Sequence, residues 1–476
     1  MKVVKNYLWN AGYQVFILIV PLVTIPYITR VLGPSGVGVN SYTNSIVQYF
    51  ILFGSLGLNI YGNREIAYHK DDVKSRSSIF WELTIIKFLS ISIAMAAYLL
   101  FIGFSDRYRI FFLIQGIMLI GTATDISWFF QGMEDFKVTV TRSTLVRILS
   151  LVLTFVFVKT SADTWMYILI LAVSQTLGYL TLWPYLRGRI VKVKLRDLHL
   201  KPHIKPAVQL LIPQVATQVY LQLNKTMLGS IDGVSAAGFY DNSDKIIKLV
   251  LAFITATGTV LLPHVANNFA KGNQKAVRSS LQLSMHLILV VAFPMAAGVI
   301  CVAQPFTNLF FGPRFAVVAT LMSVESVVII LIGISNAVGQ QYLLPTGQYS
   351  PYTTSVVLGS IANIILNIPL IIYFGVVGSV VATVVSEAVV TGYQVLRIRQ
   401  QIRVASLFSE TWKYASSSLV MLLAVFLIRN MGTGDFSKVV IRVITGVIVY
   451  SVALLLLRPN FLISQLGSLR ARFVKR

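Results

Sequence analysis

LWNAGYQVFILIVPLVTIPYITRV, residues 8–31, meets its first charge only at Arg30. A helix needs about 20 mostly apolar residues to cross the hydrocarbon core of a bilayer. The apolar core of a signal peptide is about 7–15 residues long. This run is longer, has no evident small-residue cleavage site and follows Lys2 and Lys5. It therefore reads as a first transmembrane span that is retained.

The same criterion applied outward along the chain predicts fourteen spans: 9–31, 37–60, 78–103, 109–131, 138–159, 163–186, 206–230, 237–263, 280–303, 315–343, 352–373, 376–396, 413–429 and 438–457. Composition agrees. Hydrophobic residues make up 56% of 476 positions and charged residues 12%, against about 25% charged in soluble domains. The connecting segments leave no room for a soluble domain of the kind that carries a membrane enzyme's catalytic residues. The outer loops offer only Asp106, Asp163, Asp232 and Asp435 to a glycosyltransferase or polymerase. An all-α polytopic membrane protein is expected.

The net charge of +23 would suggest nucleic acid in a soluble protein. Here the bases sit in short clusters between apolar runs, which is an orientation signal. With the amino terminus cytoplasmic, 27 of the 40 Lys and Arg fall on the cytoplasmic side, 7 outside and 6 within spans. Both termini are then inside. The richest cluster is the link 187–205 (RGRIVKVKLRDLHLKPHIK), and Arg470, Arg472, Lys475 and Arg476 close the chain.

That link divides the sequence into a six-helix lobe at 1–186, a second at 206–400, and two additional helices with a basic tail at 401–476. A weak repeat supports the division. Leu32-Gly33 precedes Tyr42-Thr43-Asn44-Ser45, and Leu228-Gly229 precedes Tyr240-Asp241-Asn242-Ser243. Chance similarity of apolar segments is the competing reading. Six spans separate equivalent points, so the lobes are expected in parallel orientation about a central cavity, where transporters bind substrate and rock one half against the other. Prolines 21, 26, 213, 263, 294, 345 and 369 are expected to supply bends.

Charges within spans are costly and mark functional candidates. The bases are Lys87, Arg147, Lys225, Lys245, Lys248 and Arg442; the acids are Glu82, Asp125, Asp241, Asp244, Glu325 and Glu387. Asp241/Lys245 and Asp244/Lys248 are i,i+4 pairs, acid first. They read either as neutralised pairs that let span 8 insert, or as a wet cavity wall. In the second case Arg30, Lys225 and Lys245 form a basic ring suited to pyrophosphate. Lys87 and Arg147 read as substrate contacts or as side chains that snorkel to the interface, and Arg442 as an anchor. Glu325, Glu387, Asp244 and Asp125 are candidates for coupling to protons or sodium, or for packing. Aromatic clusters such as Trp128-Phe129-Phe130 and Phe306 to Phe311 read as interfacial belts. No Walker loop, HExxH or Cys/His ligand spacing occurs. His199 and His203, i,i+4 in the basic link, make a poor metal site, and no cofactor is expected.

Several stretches resemble the polysaccharide transporter branch of the multidrug/oligosaccharidyl-lipid/polysaccharide superfamily, the O-antigen and capsule repeat-unit flippases. They are IPYITRVLGPSGVG (25–38), YGNREIAYHKDD (61–72), DISWFFQGMEDF (125–136), QVYLQLNKTMLG (218–229), GFYDNSDKI (238–246), VLLPHVANNFAKG (260–272) and GQQYLLPTGQ (339–348). The resemblance implies two six-helix lobes, alternating access, and an undecaprenyl-pyrophosphate-linked oligosaccharide as cargo in the bacterial cytoplasmic membrane. It implies Arg30, Lys225, Asp241 and Lys245 as cavity residues, with Asn224 and Asp244 from the same motifs and Lys248 beside them. Membrane lipids, a polysaccharide polymerase and chain-length machinery are the expected partners, and nucleic acid is not. Peptidoglycan-precursor flippases and cation-coupled drug exporters of the superfamily are the nearer rivals.

Overall fold

The computed structural model describes residues 2–460, with side chains from Ile19 onward except at 213, 216, 217, 220, 256–264 and 266. The side chains of Lys2, Lys5, Pro213 and Pro263 and the tail bases Arg470, Arg472, Lys475 and Arg476 lie outside what is described. Among the described residues the regular structure is all helical, with no strand. In chain order the helices are α1 Lys2–Ser55, α2 Leu58–Tyr68, α3 Val73–Gly103, α4 Arg109–Thr124, α5 Ser127–Gly132, α6 Phe136–Phe157, α7 Thr164–Leu180, α8 Lys201–Ile231, α9 Val234–Ala270 and α10 Gln274–Phe310. Then follow α11 Val317–Glu325, α12 Val327–Ser335, a π-helical segment Asn336–Leu343, α13 Tyr349–Ile398, α14 Val404–Leu407, α15 Thr411–Leu427 and α16 Asp435–Leu457.

Each expected span has its helix. Spans 1 and 2 are the limbs of α1, and spans 11 and 12 the limbs of α13. In both, a glycine in the left-handed region makes the kink: Gly33 at φ 66° and Gly375 at φ 57°. A side chain bearing Cβ is strained there, so only glycine lets two spans follow one another so tightly. Nine helices among the described residues are long and apolar enough to cross a membrane. α8 and α9, which carry five of the twelve charges within the expected spans, and the 17-residue α15 are outside that set.

The chain forms two compact units, Met1–Gly238 and Phe239–Arg476. In the first, α8 packs on α1 and α4 packs on α7. A Cβ on Gly238 would lie 2.9 Å from Cα of Gly38, so these two backbones approach as closely as glycine permits. The link follows α3. Arg76 donates from Nε and Nη2 to the Arg189 carbonyl (3.0 and 2.8 Å), and the Val191 amide donates to Ser77 Oγ at 3.0 Å. In the 159–163 turn, the Lys159 and Thr160 amides donate to Asp163 and hold its carboxyl below the usual carboxylate range.

Trp128, Phe129 and Phe130 are not an interfacial belt. The α4 helix breaks at Asp125, and the short α5 turns inward, so all three rings are buried with Phe80, Leu83 and Ile66. The Trp128 ring stacks on Phe80 at 5.7 Å, and a Cβ on Gly62 would meet it at 2.5 Å. The 61–72 and 125–136 motifs are thus the two halves of one packed core. Salt bridges Lys70–Glu134 (2.8 Å) and Arg189–Asp135 (2.7 Å) tie down its rim. In the second unit Phe311 is likewise buried, against Phe306, Phe310 and Phe315.

Candidate functional site

The intramembrane charges fall into three classes. The first is closed. Lys87 on α3 is 1% exposed; its ammonium donates to the Asp125 carbonyl (2.8 Å) and Asn59 Oδ1 (2.9 Å), and lies 3.7 Å from the Asp125 carboxylate. The other Asp125 oxygen accepts the Ser127 amide at 2.9 Å and so starts α5. Lys87 therefore does not snorkel: it is committed to the carbonyl that the α4–α5 break exposes. Glu82, one turn from Lys87, is also closed. It accepts the His199 amide and lies against His203 Nε2, both at 2.7 Å, while His203 Nδ1 contacts the Tyr61 hydroxyl at 2.8 Å. The histidine that looked like a poor metal ligand is a clasp between the link and α3.

The second class is in the first unit, where α1 and α8 meet. Ser45 and Thr226 hydroxyls pair at 2.8 Å, Thr226 also bonds the Tyr49 hydroxyl, and Tyr42 meets Ser230 at 3.3 Å. Gly229 faces the Tyr42 ring. These contacts fix α8 in rotation. Asn224 is buried, Lys225 beside it is half-buried, and Arg30 is exposed with Nη1 3.3 Å from the Pro26 carbonyl. Arg147 is exposed on α6.

The third class is in the second unit, on α9. Lys245 bonds Asp241 at 2.5 Å and Lys248 bonds Asp244 at 2.6 Å, the two i,i+4 pairs expected. The carboxylates are turned inward, at 8% and 15% side-chain exposure, while the lysines are 44% and 48% exposed. Ser243, fully buried between them, donates its hydroxyl to Glu325 Oε2 at 2.5 Å. Ser243 thus joins α9 to Glu325 of α11, and Tyr240 meets Thr383 of α13 at 3.3 Å. Glu387 is buried one turn beyond Thr383. Ser243 was passed over in the sequence although it stands inside the Asp241–Asp244 motif; only its fold partner Glu325 gives it meaning. Among the described residues no cluster of His, Cys, Asp and Glu is arranged to hold a metal ion.

Residues 3–269 match the polysaccharide biosynthesis protein family. The chain belongs to that family. Its relatives include the "Putative O-antigen transporter" of Escherichia coli (strain K12), 22% identical over 400 residues, which are 83% of this chain and 96% of that one. The "Probable low-salt glycan biosynthesis flippase Agl15" of Haloferax volcanii is 22% identical over 249 residues, 52% of each chain. Among solved structures, the inward closed conformation of the lipid II flippase MurJ matches with a TM-score of 0.75 over 99% of this chain and 100% of that one. At 14% identity this establishes a shared fold and nothing finer. With its apolar helices the protein is a multi-pass helical membrane protein.

Proposed function

We propose that the protein is a flippase that carries undecaprenyl-pyrophosphate-linked oligosaccharides from the cytoplasmic to the outer leaflet of a bacterial cytoplasmic membrane, by alternating access between two six-helix lobes. Family membership and the O-antigen transporter relative support the cargo class. The observation that carries the site is on α9. The helix α9, expected as span 8, presents two half-exposed lysine ends while their acids are held within. An ammonium does not rest in hydrocarbon without large cost, so these ends face a water-filled space, where a diphosphate can compete for them. Arg30, Asn224 and Lys225 are the binding residues of this reading in the first unit, and in the second Asp241 bonds Lys245. Glu325, Glu387 and Asp244 are the places for a coupling proton or sodium ion. Asp125, already bonded to Lys87 and Ser127, is a weaker place for one. Both termini are cytoplasmic in this reading, and a polymerase with chain-length machinery receives the cargo. The chain itself performs no covalent chemistry.

Lipid II, which carries the same pyrophosphate, is the second reading, favoured by 26% identity over 144 residues to a lipid II flippase of Bacillus subtilis. Reconstitution into proteoliposomes decides. The expected result is that a lipid-pyrophosphate-linked oligosaccharide becomes accessible to an impermeant enzyme on the opposite face. Flipping of lipid II alone selects the second reading. Export of organic cations with no lipid flipping overturns both.

A further inference from the structure

The helix α10 contains two internal prolines, Pro294 and Pro305. A proline has no N–H and its ring presses on the carbonyl four residues earlier, so each leaves one helical carbonyl without its donor. Here those carbonyls belong to Val290 and Cys301. Both are met by side chains of one other helix. The Tyr450 hydroxyl donates to the Val290 carbonyl at 2.7 Å, and Arg442 Nη1 donates to the Cys301 carbonyl at 2.9 Å. Tyr450 and Arg442 both lie on α16, and their order runs opposite to that of their targets, as two antiparallel helices require.

The pairing is not the consequence of one fortunate contact. Arg442 also donates from Nη2 to the Arg429 carbonyl (2.7 Å), an orphan just past the end of α15. Further along α10, Gln282 donates to Ser406 at 2.8 Å, and His286 meets the Tyr414 hydroxyl at 3.3 Å. At 3.6 residues per turn, positions 282, 286, 290 and 301 fall within an arc of about 100° on α10. One face of α10 is therefore tied along its length to the last segment of the chain. Packing is fitted to the same end. Met421 of α15 sits against Gly446 of α16, where a Cβ would come within 2.8 Å of its methyl group.

We propose that α16 is a brace for α10: Tyr450 and Arg442 replace the two backbone donors that Pro294 and Pro305 remove, so that the two proline-weakened points of this span are held by the chain's final helix. Spans 13 and 14, which have no counterpart in the sequence repeat, thereby acquire a positioning role. Tyr450 and Arg442 are positioning residues that act through α10. Each proline removes one backbone hydrogen bond from α10, and the brace meets the carbonyl so freed in a medium that offers it no water.

The test is a double-mutant cycle on the full chain in lipid nanodiscs, read by thermal unfolding and by amide hydrogen exchange along α10. Alanine at a proline site restores the missing N–H. Tyr450→Phe is expected to lower the unfolding temperature and to speed exchange around residue 294 by roughly 5- to 30-fold, the range for 1–2 kcal/mol. In a Pro294→Ala background the same change is expected to do little. Arg442→Gln should behave likewise with Pro305→Ala, with Arg442→Lys as the conservative variant that retains part of the effect. The crossed pairs, Tyr450→Phe with Pro305→Ala and Arg442→Gln with Pro294→Ala, should be additive. Equal loss from Tyr450→Phe with and without Pro294 would overturn the brace. These readouts need no substrate, so their failure is distinct from failure of the flippase reading.

Discussion

Lys87 and Lys245 are both lysines in apolar helices with an aspartate for partner, and they are opposites. Lys87 is 1% exposed and its ammonium contacts a carbonyl, an amide oxygen and a carboxylate. Lys245 has its aspartate buried and its own side chain 44% exposed. The first pair closes a break between α4 and α5; the second leaves a cation presented on a helix. A charge inside a membrane span is therefore not a site by virtue of its depth. What separates the two lysines is exposure: the Lys87 ammonium is enclosed, whereas the Lys245 side chain is half-exposed beside its buried aspartate.

Predictions follow that contrast in order of expected size. Lys87→Ala leaves the Asp125 carboxylate buried without its cation, which costs about 3–5 kcal/mol. The expected result is loss of folded protein on size-exclusion chromatography, with partial recovery when Asp125→Asn is added. Recovery absent, with Lys87→Ala fully folded, would show that the cluster is not closed. Glu82→Ala strips acceptors from the His199 amide and from His203. A destabilisation of about 1–3 kcal/mol is expected for unsatisfied groups of this kind, with faster proteolysis in the link at 187–205. Ser243→Ala removes a single hydroxyl donor to Glu325 and should cost about 1 kcal/mol in thermal unfolding. Lys245→Ala and Lys248→Ala should cost less in thermal unfolding than Lys87→Ala, because each of these lysines is half-exposed where Lys87 is buried. A loss as large as that of Lys87→Ala would erase the distinction between the two lysines.

Much of the architecture was legible because it depends on local pattern. Runs of about 20 apolar residues gave the spans. The kinks themselves were not legible: bends were expected at prolines, whereas Gly33 and Gly375, in the left-handed region, make the two tight ones. The acid-first spacing on α9 announced both ion pairs. Asp125 also had a local signature, since its carboxylate accepts the amide two residues on, though the sequence reading weighed it for ion coupling. What stayed hidden depends on partners far apart in the chain. His203 meets Tyr61 and Glu82, 142 and 121 residues away. Arg442 reads as an anchor from its depth, but its target is a carbonyl freed by Pro305, 141 residues before it. The rings of 128–130 have the composition of a belt, and only the break at Asp125 turns them inward. The two units Met1–Gly238 and Phe239–Arg476 divide the chain after α8, whereas the repeat divides it in the link before α8; packing and ancestry need not share a boundary.

The most direct test of the central claim is the initial rate at which proteoliposomes containing Lys245→Ala flip a lipid-pyrophosphate-linked oligosaccharide, relative to wild type at matched folded protein. The account predicts a fall of about tenfold or more, the worth of a charge-assisted hydrogen bond of about 1.5–3 kcal/mol, with similar losses for Lys225→Ala and Arg30→Ala. A wild-type rate from all three folded variants would contradict it.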